Sequence, residues 1–499
     1  MPVARLTAWD TARRRSAVWM ALAFGVPLVV YVRTLAPTVY GLDSAELTTG
    51  AWALGIVHAP GSPTYMLLGH LFAQLPLGDV GYRLNLLSAC SAALAVLFLF
   101  LVIRRLVGDP AVALAASWLA AFSYYVWVSA VAAELYAPHA AFVTALLLLA
   151  LRWRDGGSSA LLCGLGLLFG VAAGNHLSMT LLAPGFAWLI GSARRPPWQP
   201  PWLLVAAAAA TLAGAAVYLY LPLRYLADPP LNYARVWGVD LSTPRGLLWM
   251  VSARLFSPLF FSVPIGSLPA EVGAYAAQLW SNFVGCGVVL GLVGVLGDFR
   301  ARPSLHIGLA LLFAAHLAFF IPYQVVDKAL MFEPTFLVWA IWTAIGAQIL
   351  CAALARRLPD GWSISAPALL FFLALGCLVV NYPRVDLRDD WSARQVGEQV
   401  FDTLEPYAVY FGTWKDVPIL EYLQIVERQR PDVRTVNLVF ARGGGPRLAR
   451  QLLRQGWPVY TSAPELLIDD SLFIEPLADA DYARVRLAAP HASIGGAAP

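Results

Sequence analysis

Residues 84–103 read Leu-Asn-Leu-Leu-Ser-Ala-Cys-Ser-Ala-Ala-Leu-Ala-Val-Leu-Phe-Leu-Phe-Leu-Val-Ile, and Arg104 and Arg105 follow at once. An uncharged run of about 20 residues is the length that crosses hydrocarbon as a helix. The same pattern recurs along the 499-residue chain, centred near 16–32, 84–103, 110–130, 136–151, 158–174, 177–193, 201–222, 274–297, 303–322, 333–355 and 362–381. That predicts about eleven transmembrane helices, with the long uncharged stretch 156–193 divided at Gly174-Asn175-His176. Composition agrees: 59% of residues are hydrophobic, 13% are charged and the mean hydropathy is +0.65. Soluble proteins carry roughly 25% charge, so an ordinary soluble enzyme and a disordered chain are excluded. A formal charge of +4, thinly scattered, also excludes a phosphate-tracking nucleic-acid binder.

The placement of charge orients the chain. Arg5 and Arg13–Arg15, Arg104 and Arg105, Arg152 and Arg154, Arg194 and Arg195, Arg300 and Arg302, and Arg356 and Arg357 mark alternate loops. By the positive-inside rule those loops and the N-terminus are cytoplasmic, and the opposite loops and the C-terminus lie outside. The Arg13–Arg15 cluster before an apolar run resembles the opening of a signal peptide, but the spans behind it favour a retained first helix. The two long loops, about 35–82 and 224–273, both fall on the outer side, so function is expected to face outward.

Residues 384–499 hold 29 of the 64 charges, which divides the chain into a membrane domain, 1–383, and a soluble extracytoplasmic domain, 384–499. Within the latter, helical patterns over 391–404, 417–428 and 447–453 alternate with strand patterns over 408–411, 433–439, 458–460 and 471–474. This reads as a small α/β domain with a mostly parallel sheet. Gly443-Gly444-Gly445 lacks the spacing of a phosphate-binding loop and reads as a plain loop. The five cysteines form no CxxC pair and no zinc-ligand spacing.

Candidate chemistry gathers in the outer loops. Asp43 and Glu46, three apart, share one face of a helix beginning there. They read either as a capping box or as carboxylates held for general-base or metal-ligand work. His58 sits in the stiff turn His58-Ala-Pro60-Gly61-Ser-Pro63, and Tyr82, Arg83 and Asn85 open the next span. Arg224, in Leu221-Pro222-Leu223-Arg224, is placed either to snorkel or to hold a lipid phosphate bidentately. Glu134, Tyr136 and His139, Asn175 and His176, and Asp327, Lys328 and Glu333 fall on the same side. Polar groups near spans tend to face a bundle interior and mark function, which suggests an outward-facing polar cavity.

With these residues assembled, the chain resembles the bacterial relatives of the eukaryotic transmembrane O-mannosyltransferase that modifies IPT domains, within the GT-C class of polytopic glycosyltransferases. The resemblance rests on Pro37-Thr38, Asp43-Ser44-x-Glu46, His58-x-Pro60-Gly61-x-Pro63, Arg83-x-Asn85-x-x-Ser88, Leu221-Pro222-Leu223-Arg224, Pro229-Pro230-Leu231-Asn232, Tyr323, Asp327 and Pro334, and Arg430-Pro431-Asp432-Val433. It departs from the family pattern at Ala45 and Ala59, where glycine and proline are usual, and after Asn232, where Tyr-Ala-Arg replaces Trp-Gly-Asp.

The resemblance implies an all-α polytopic GT-C-like fold in the inner (plasma) membrane. It implies an inverting transfer of a hexose, such as mannose, from a polyprenyl-phosphate donor to a hydroxyl of a protein or glycan acceptor outside. Asp43 is then the general base and Glu46 its partner. Arg224 stabilises the leaving phosphate, and His58, Arg83, Asn85, Glu134, Tyr136, His139, His176, Asn232, Asp327 and Lys328 bind or shape the site. No metal, cofactor or nucleic-acid partner is expected. A transporter or flippase is the rival class, though paired broken helices and internal repeats are not evident. A structural or assembly protein whose C-terminal domain binds a partner is a third.

Overall fold

The computed structural model describes residues 2–193, 198, 200–325, 327–357, 365–439, 444–477 and 481–488, with side chains from residue 15 onward. Arg194, Arg195, Gly443 and the start of the expected 362–381 span lie outside these residues, as do the side chains of Arg5, Arg13 and Arg14.

Helix α1 (Pro2–Arg33) leads into two short helices, α2 (Asp43–Ala53) and α3 (Pro63–Ala73). The long helix α4 (Val80–Val107) follows. Local chemistry sets its ends: the Asp79 carboxylate accepts the Tyr82 N–H at 2.8 Å, and Gly108 stops it in the left-handed region at φ 77°. Asp109 and Pro110 then restart the chain as α5 (Pro110–Ala121).

Among the described residues seven helices are long and apolar enough to cross a membrane, or eight if the bent pair Ile265–Asn282 and Cys286–Asp298 is one span. Three apolar helices, Pro110–Ala121, Ser159–Ala173 and Leu177–Gly191, account for the remaining predicted stretches. At 12 to 15 residues each they are shorter than a straight full crossing, so each of the eleven predicted stretches meets an apolar helix or the bent pair, not all of full length. The predicted division of 156–193 is met at the right place: helix Ser159–Ala173 ends at Gly174, and His176 opens the next turn.

The bundle closes around one large apolar core that runs from Ala23 to Val385. Helices Cys286–Asp298 and Glu333–Ala355 approach so closely that a Cβ on Gly346 would lie 1.8 Å from the Leu290 carbonyl oxygen. Small residues let helix backbones meet in this way in lipid.

The C-terminal domain carries a five-stranded sheet in the order β2-β1-β3-β5-β4, with β1 Val409–Gly412, β2 Arg434–Asn437, β3 Val459–Thr461, β4 Leu472–Pro476 and β5 Ala483–Leu487. The sheet is mixed and not mostly parallel. β1 pairs in parallel with β2 and β3, whereas β5 runs antiparallel between β3 and β4. The period-2 alternation of β1 divides two cores. Val409 and Phe411 pack into the outer half of the domain, while Tyr410 joins a core shared with the loops of the membrane domain. That shared core includes Ala45, Leu47 and Tyr65 on one side and Leu420, Tyr422 and Leu423 on the other. The domain is therefore seated on the loops around residues 45–65 through apolar packing.

Candidate active site

Helix α2 brings the carboxylates together, although not through the predicted capping box. Leu42 occupies the N-cap with φ 57° and gives no side-chain cap. Asp43 is the first helical residue, and Glu46 turns inward, fully buried. Twelve residues on, His58 answers it: the His58 backbone N–H donates to Glu46 Oε1 and the ring Nδ1 meets Oε2, both at 2.5 Å. The other ring nitrogen, Nε2, faces Asp43 Oδ2 at 3.9 Å. Asp43 keeps about a third of its side chain exposed, so it is the carboxylate that a substrate can reach.

Burial alone would pull the His58 imidazole down, but Glu46 and Asp43 together push it up to about 10. His58 is thus an imidazolium at neutral pH, set between two acids. Burial holds Glu46 above the usual carboxylate range, against the opposing pull of His58. Two further carboxyls sit within electrostatic reach of Asp43. Glu134 is raised well above its ordinary value by burial and then by Asp43 and Asp327, and Asp327 is raised by burial and then by Asp43. Like charges this close cannot all ionise. Of the three, Glu134 is the group best suited to keep a proton and donate a hydrogen bond.

The fourth wall comes from the C-terminal domain. Trp414 follows β1 and donates its indole Nε1–H to Asp43 Oδ1 across 371 positions of sequence. Its ring lies edge-on to His58 at 5.8 Å, opposite Phe256 of the second long loop at 5.9 Å. Asp416 braces the turn that carries Trp414, accepting from Tyr410 Oη at 2.6 Å, Thr413 N at 2.8 Å and Ser462 Oγ at 2.5 Å. Nearby, Tyr233 donates to Glu421 at 2.6 Å. Burial pushes the Glu421 carboxyl up to about 8 even though Tyr233 pulls it down.

Of the other predicted site residues, one set converges and one does not. Tyr136 Oη donates to Asp327 Oδ2 at 2.7 Å, and its ring lies 5.6 Å from His176. His176 is 5.2 Å from His139, and both imidazoles meet Ser178 Oγ. These residues form a polar file leading from the carboxylates into the bundle. Asp327 also adjoins Lys328, whose ammonium is paired with Glu271 at 2.5 Å.

Arg83, Asn85 and Asn232, expected to bind substrate or shape the site, make bonds to backbone. Arg83 donates to the Leu77, Ala73 and Gly78 carbonyls, and Asn85 Nδ2 to those of Ala36 and Thr38. Asn232 Oδ1 accepts the Arg235 N–H, while its buried Nδ2 has no partner among the described residues. Arg224 also lies apart from the carboxylates. It donates to the Leu54 carbonyl at 2.7 Å, at the opposite end of α2 from Asp43, about 15 Å away along the helix axis. No carboxylate pairs with it among the described residues, so it complements the negative end of α2.

Asp43, Glu46 and His58 could also hold a cation, since each offers one ligand atom within 4.8 Å of the others. A metal would have to displace the His58 proton and its bond to Glu46. Trp414, Phe256 and Glu421 escaped the sequence reading because each reaches the site only through tertiary packing. The one available signal was the Gly412-Thr-Trp-Lys-Asp416 loop at the carboxyl end of a parallel strand, where α/β sheets commonly place functional groups.

Residues 43–198 match the family described as protein O-mannosyl-transferase TMEM260 N-terminal domain. The mouse protein O-mannosyl-transferase TMEM260 is 31% identical over 259 residues, covering 50% of this chain and 35% of that protein. The Dictyostelium discoideum counterpart is 22% identical over 485 residues, covering 85% of this chain and 58% of that protein. The chain thus spans between about a third and three-fifths of the length of these curated relatives. Among solved structures it is similar to ArnT from Cupriavidus metallidurans. The apo state gives a TM-score of 0.57 at 15% identity, covering 94% of this chain and 98% of that one. The form bound to undecaprenyl phosphate gives 0.55 at 14% identity, covering 94% and 97%.

Proposed function

From this O-mannosyltransferase-like chain with a GT-C fold, we propose a membrane glycosyltransferase that moves a hexose from a polyprenyl-phosphate donor to an acceptor hydroxyl at the extracytoplasmic face. One observation carries the reading: a reachable carboxylate, Asp43, is held by a tryptophan on one oxygen and faces an imidazolium on the other. The N-terminal match begins at that residue. The ArnT relative that binds undecaprenyl phosphate supports a lipid-phosphate donor. The alternation of arginine-rich loops supports an N-in, C-out chain with this end outside. The same features favour an enzyme over a flippase.

In the proposed reaction Asp43 Oδ2 takes the proton of the acceptor hydroxyl as the oxygen attacks the anomeric carbon. The bond from that carbon to the phosphate oxygen breaks, and a single displacement inverts the configuration. His58, cationic at neutral pH, is the positive group beside the reacting centre. It offsets the charge that develops on the departing phosphate. Glu134 keeps its proton to donate to a substrate oxygen, and the Trp414 and Phe256 rings limit water.

The direct test is transfer by the purified full-length chain in liposomes, from polyprenyl-phosphate mannose to a protein or glycan hydroxyl. Product is expected, with unchanged rate after EDTA treatment, because the His58 proton already occupies the place of a cation. Rescue of an EDTA-inactivated preparation by added divalent metal would overturn the metal-free assignment, and donor turnover absent with every acceptor would overturn the function.

Trp414→Phe keeps an aromatic ring near His58 while deleting the Nε1–H donor together with part of the indole's volume. Losing one charge-assisted hydrogen bond costs about 1.5–3 kcal/mol. We expect kcat to fall by about tenfold or more, with KM for the donor little changed. An unchanged kcat would remove Trp414 from the reaction.

A further inference from the structure

The helices that frame the carboxylates also carry a feature at their far end. Helix α4 and helix Tyr136–Arg154 both start beside the candidate site. The 28 residues of α4 extend about 42 Å, so their last turns lie at the opposite end of the bundle. There a cleft of about 420 Å³ opens against the start of helix Pro303–Phe320, within the size range of small-ligand sites. Three guanidiniums line it: Arg105, Arg154 and Arg302.

Two of these are already satisfied. Arg105 pairs with Asp155, and Arg302 pairs with Asp298 at 2.6 Å while donating to the Leu106 carbonyl at 2.8 Å. Arg154 makes no ion pair or hydrogen bond among the described residues. Three guanidiniums against two carboxylates leave one positive charge over. Ser304, in the first turn of the 18-residue helix, has its hydroxyl buried with no hydrogen-bond partner. A buried hydroxyl without a partner is costly, and the orphan N–H groups of that turn add partial positive charge.

We propose that this cleft binds a phosphate-bearing anion, the headgroup of an acidic phospholipid, with Arg154 as its ion-pair partner and Ser304 as a hydrogen-bond donor. The cleft sits where apolar helices end, the level at which basic pockets between helices meet anionic headgroups. Free inorganic phosphate offers the same chemistry from the aqueous side. The site is independent of the proposed transfer, since the two lie at opposite ends of α4.

The test titrates the purified full-length protein in neutral detergent with phosphatidylglycerol, phosphatidylcholine and inorganic phosphate, read by native mass spectrometry and melting temperature. Phosphatidylglycerol is expected to bind about tenfold more tightly than phosphatidylcholine. Arg154→Gln and the cleft-filling Ser304→Leu should each remove that preference, and Arg154→Lys should keep part of it. Transfer activity in liposomes of phosphatidylcholine alone should be equal in all variants that fold. Displacement of the lipid by millimolar phosphate would confirm the anion site and assign a soluble source. Equal binding of both lipids, or wild-type preference in Arg154→Gln and Ser304→Leu, would overturn the proposal.

Discussion

Asp43→Asn is expected to reduce sugar transfer by about 10²- to 10⁴-fold, the range over which a positioned general base accelerates a reaction. The substitution is nearly isosteric, and the amide oxygen can still accept the Trp414 indole N–H that Asp43 Oδ1 accepts now. The fold should therefore survive while the proton acceptor disappears. Donor binding should persist, because no role in holding the lipid phosphate falls to Asp43. The decisive measurement is single-turnover transfer at matched protein level and matched donor occupancy. A rate within threefold of wild type would move the base elsewhere, with Glu134 and Asp327 the next candidates.

The second large effect concerns stability. Glu46 and His58 form a buried charged pair with two contacts, and removing one partner of such a pair costs about 3–5 kcal/mol. Glu46→Gln should therefore lower the melting temperature by several degrees and abolish transfer through loss of the His58 charge. The pH dependence makes the cause visible. His58 titrates at about 10 when folded, against about 6.5 in an unfolded chain. Its protonation therefore stabilises fully below pH 6.5, and that contribution drains away as pH rises through about 10. Glu46, raised by burial, acts in the opposite sense and costs stability once pH exceeds the unfolded carboxylate range. Between pH 7 and 10.5 the wild-type melting temperature should fall, and that of Glu46→Gln should fall much less. Parallel curves for the two proteins would mean that the pair carries no such linkage.

Much of this architecture was legible in the sequence because the bilayer imposes a rule on every residue of a span. Uncharged runs and terminal arginines sufficed to find the apolar units and even the break at Gly174. The same runs could not say which units are full crossings, since helices such as Pro110–Ala121 end early where the chain turns. At the site, residue types were legible and partnerships were not. Asp43 and Glu46 have the spacing of a capping box, yet Asp43 is already helical with Leu42 at the N-cap, and Glu46 turns to His58. Arg224 and Asp43 look like neighbours in function, but α2 stands between them. The missed strand β5, Ala-Arg-Val-Arg-Leu, did carry an alternating signal. Without β5 the remaining strands read as a mostly parallel sheet, and its antiparallel pairing to β3 and β4 makes the sheet mixed.

The indole of Trp414 has a consequence for when the molecule becomes active. A chain still emerging from the ribosome holds both carboxylates and the histidine long before residue 414 exists. Its loops lack the bond that fixes Asp43 until the last quarter of the polypeptide has been made, folded and seated. In the proposed reaction, the order of synthesis therefore delays turnover until the C-terminal domain has seated on Asp43. A chain truncated before residue 414 should lose at least the roughly tenfold expected of Trp414→Phe, because the Trp414 ring and its support go with the bond.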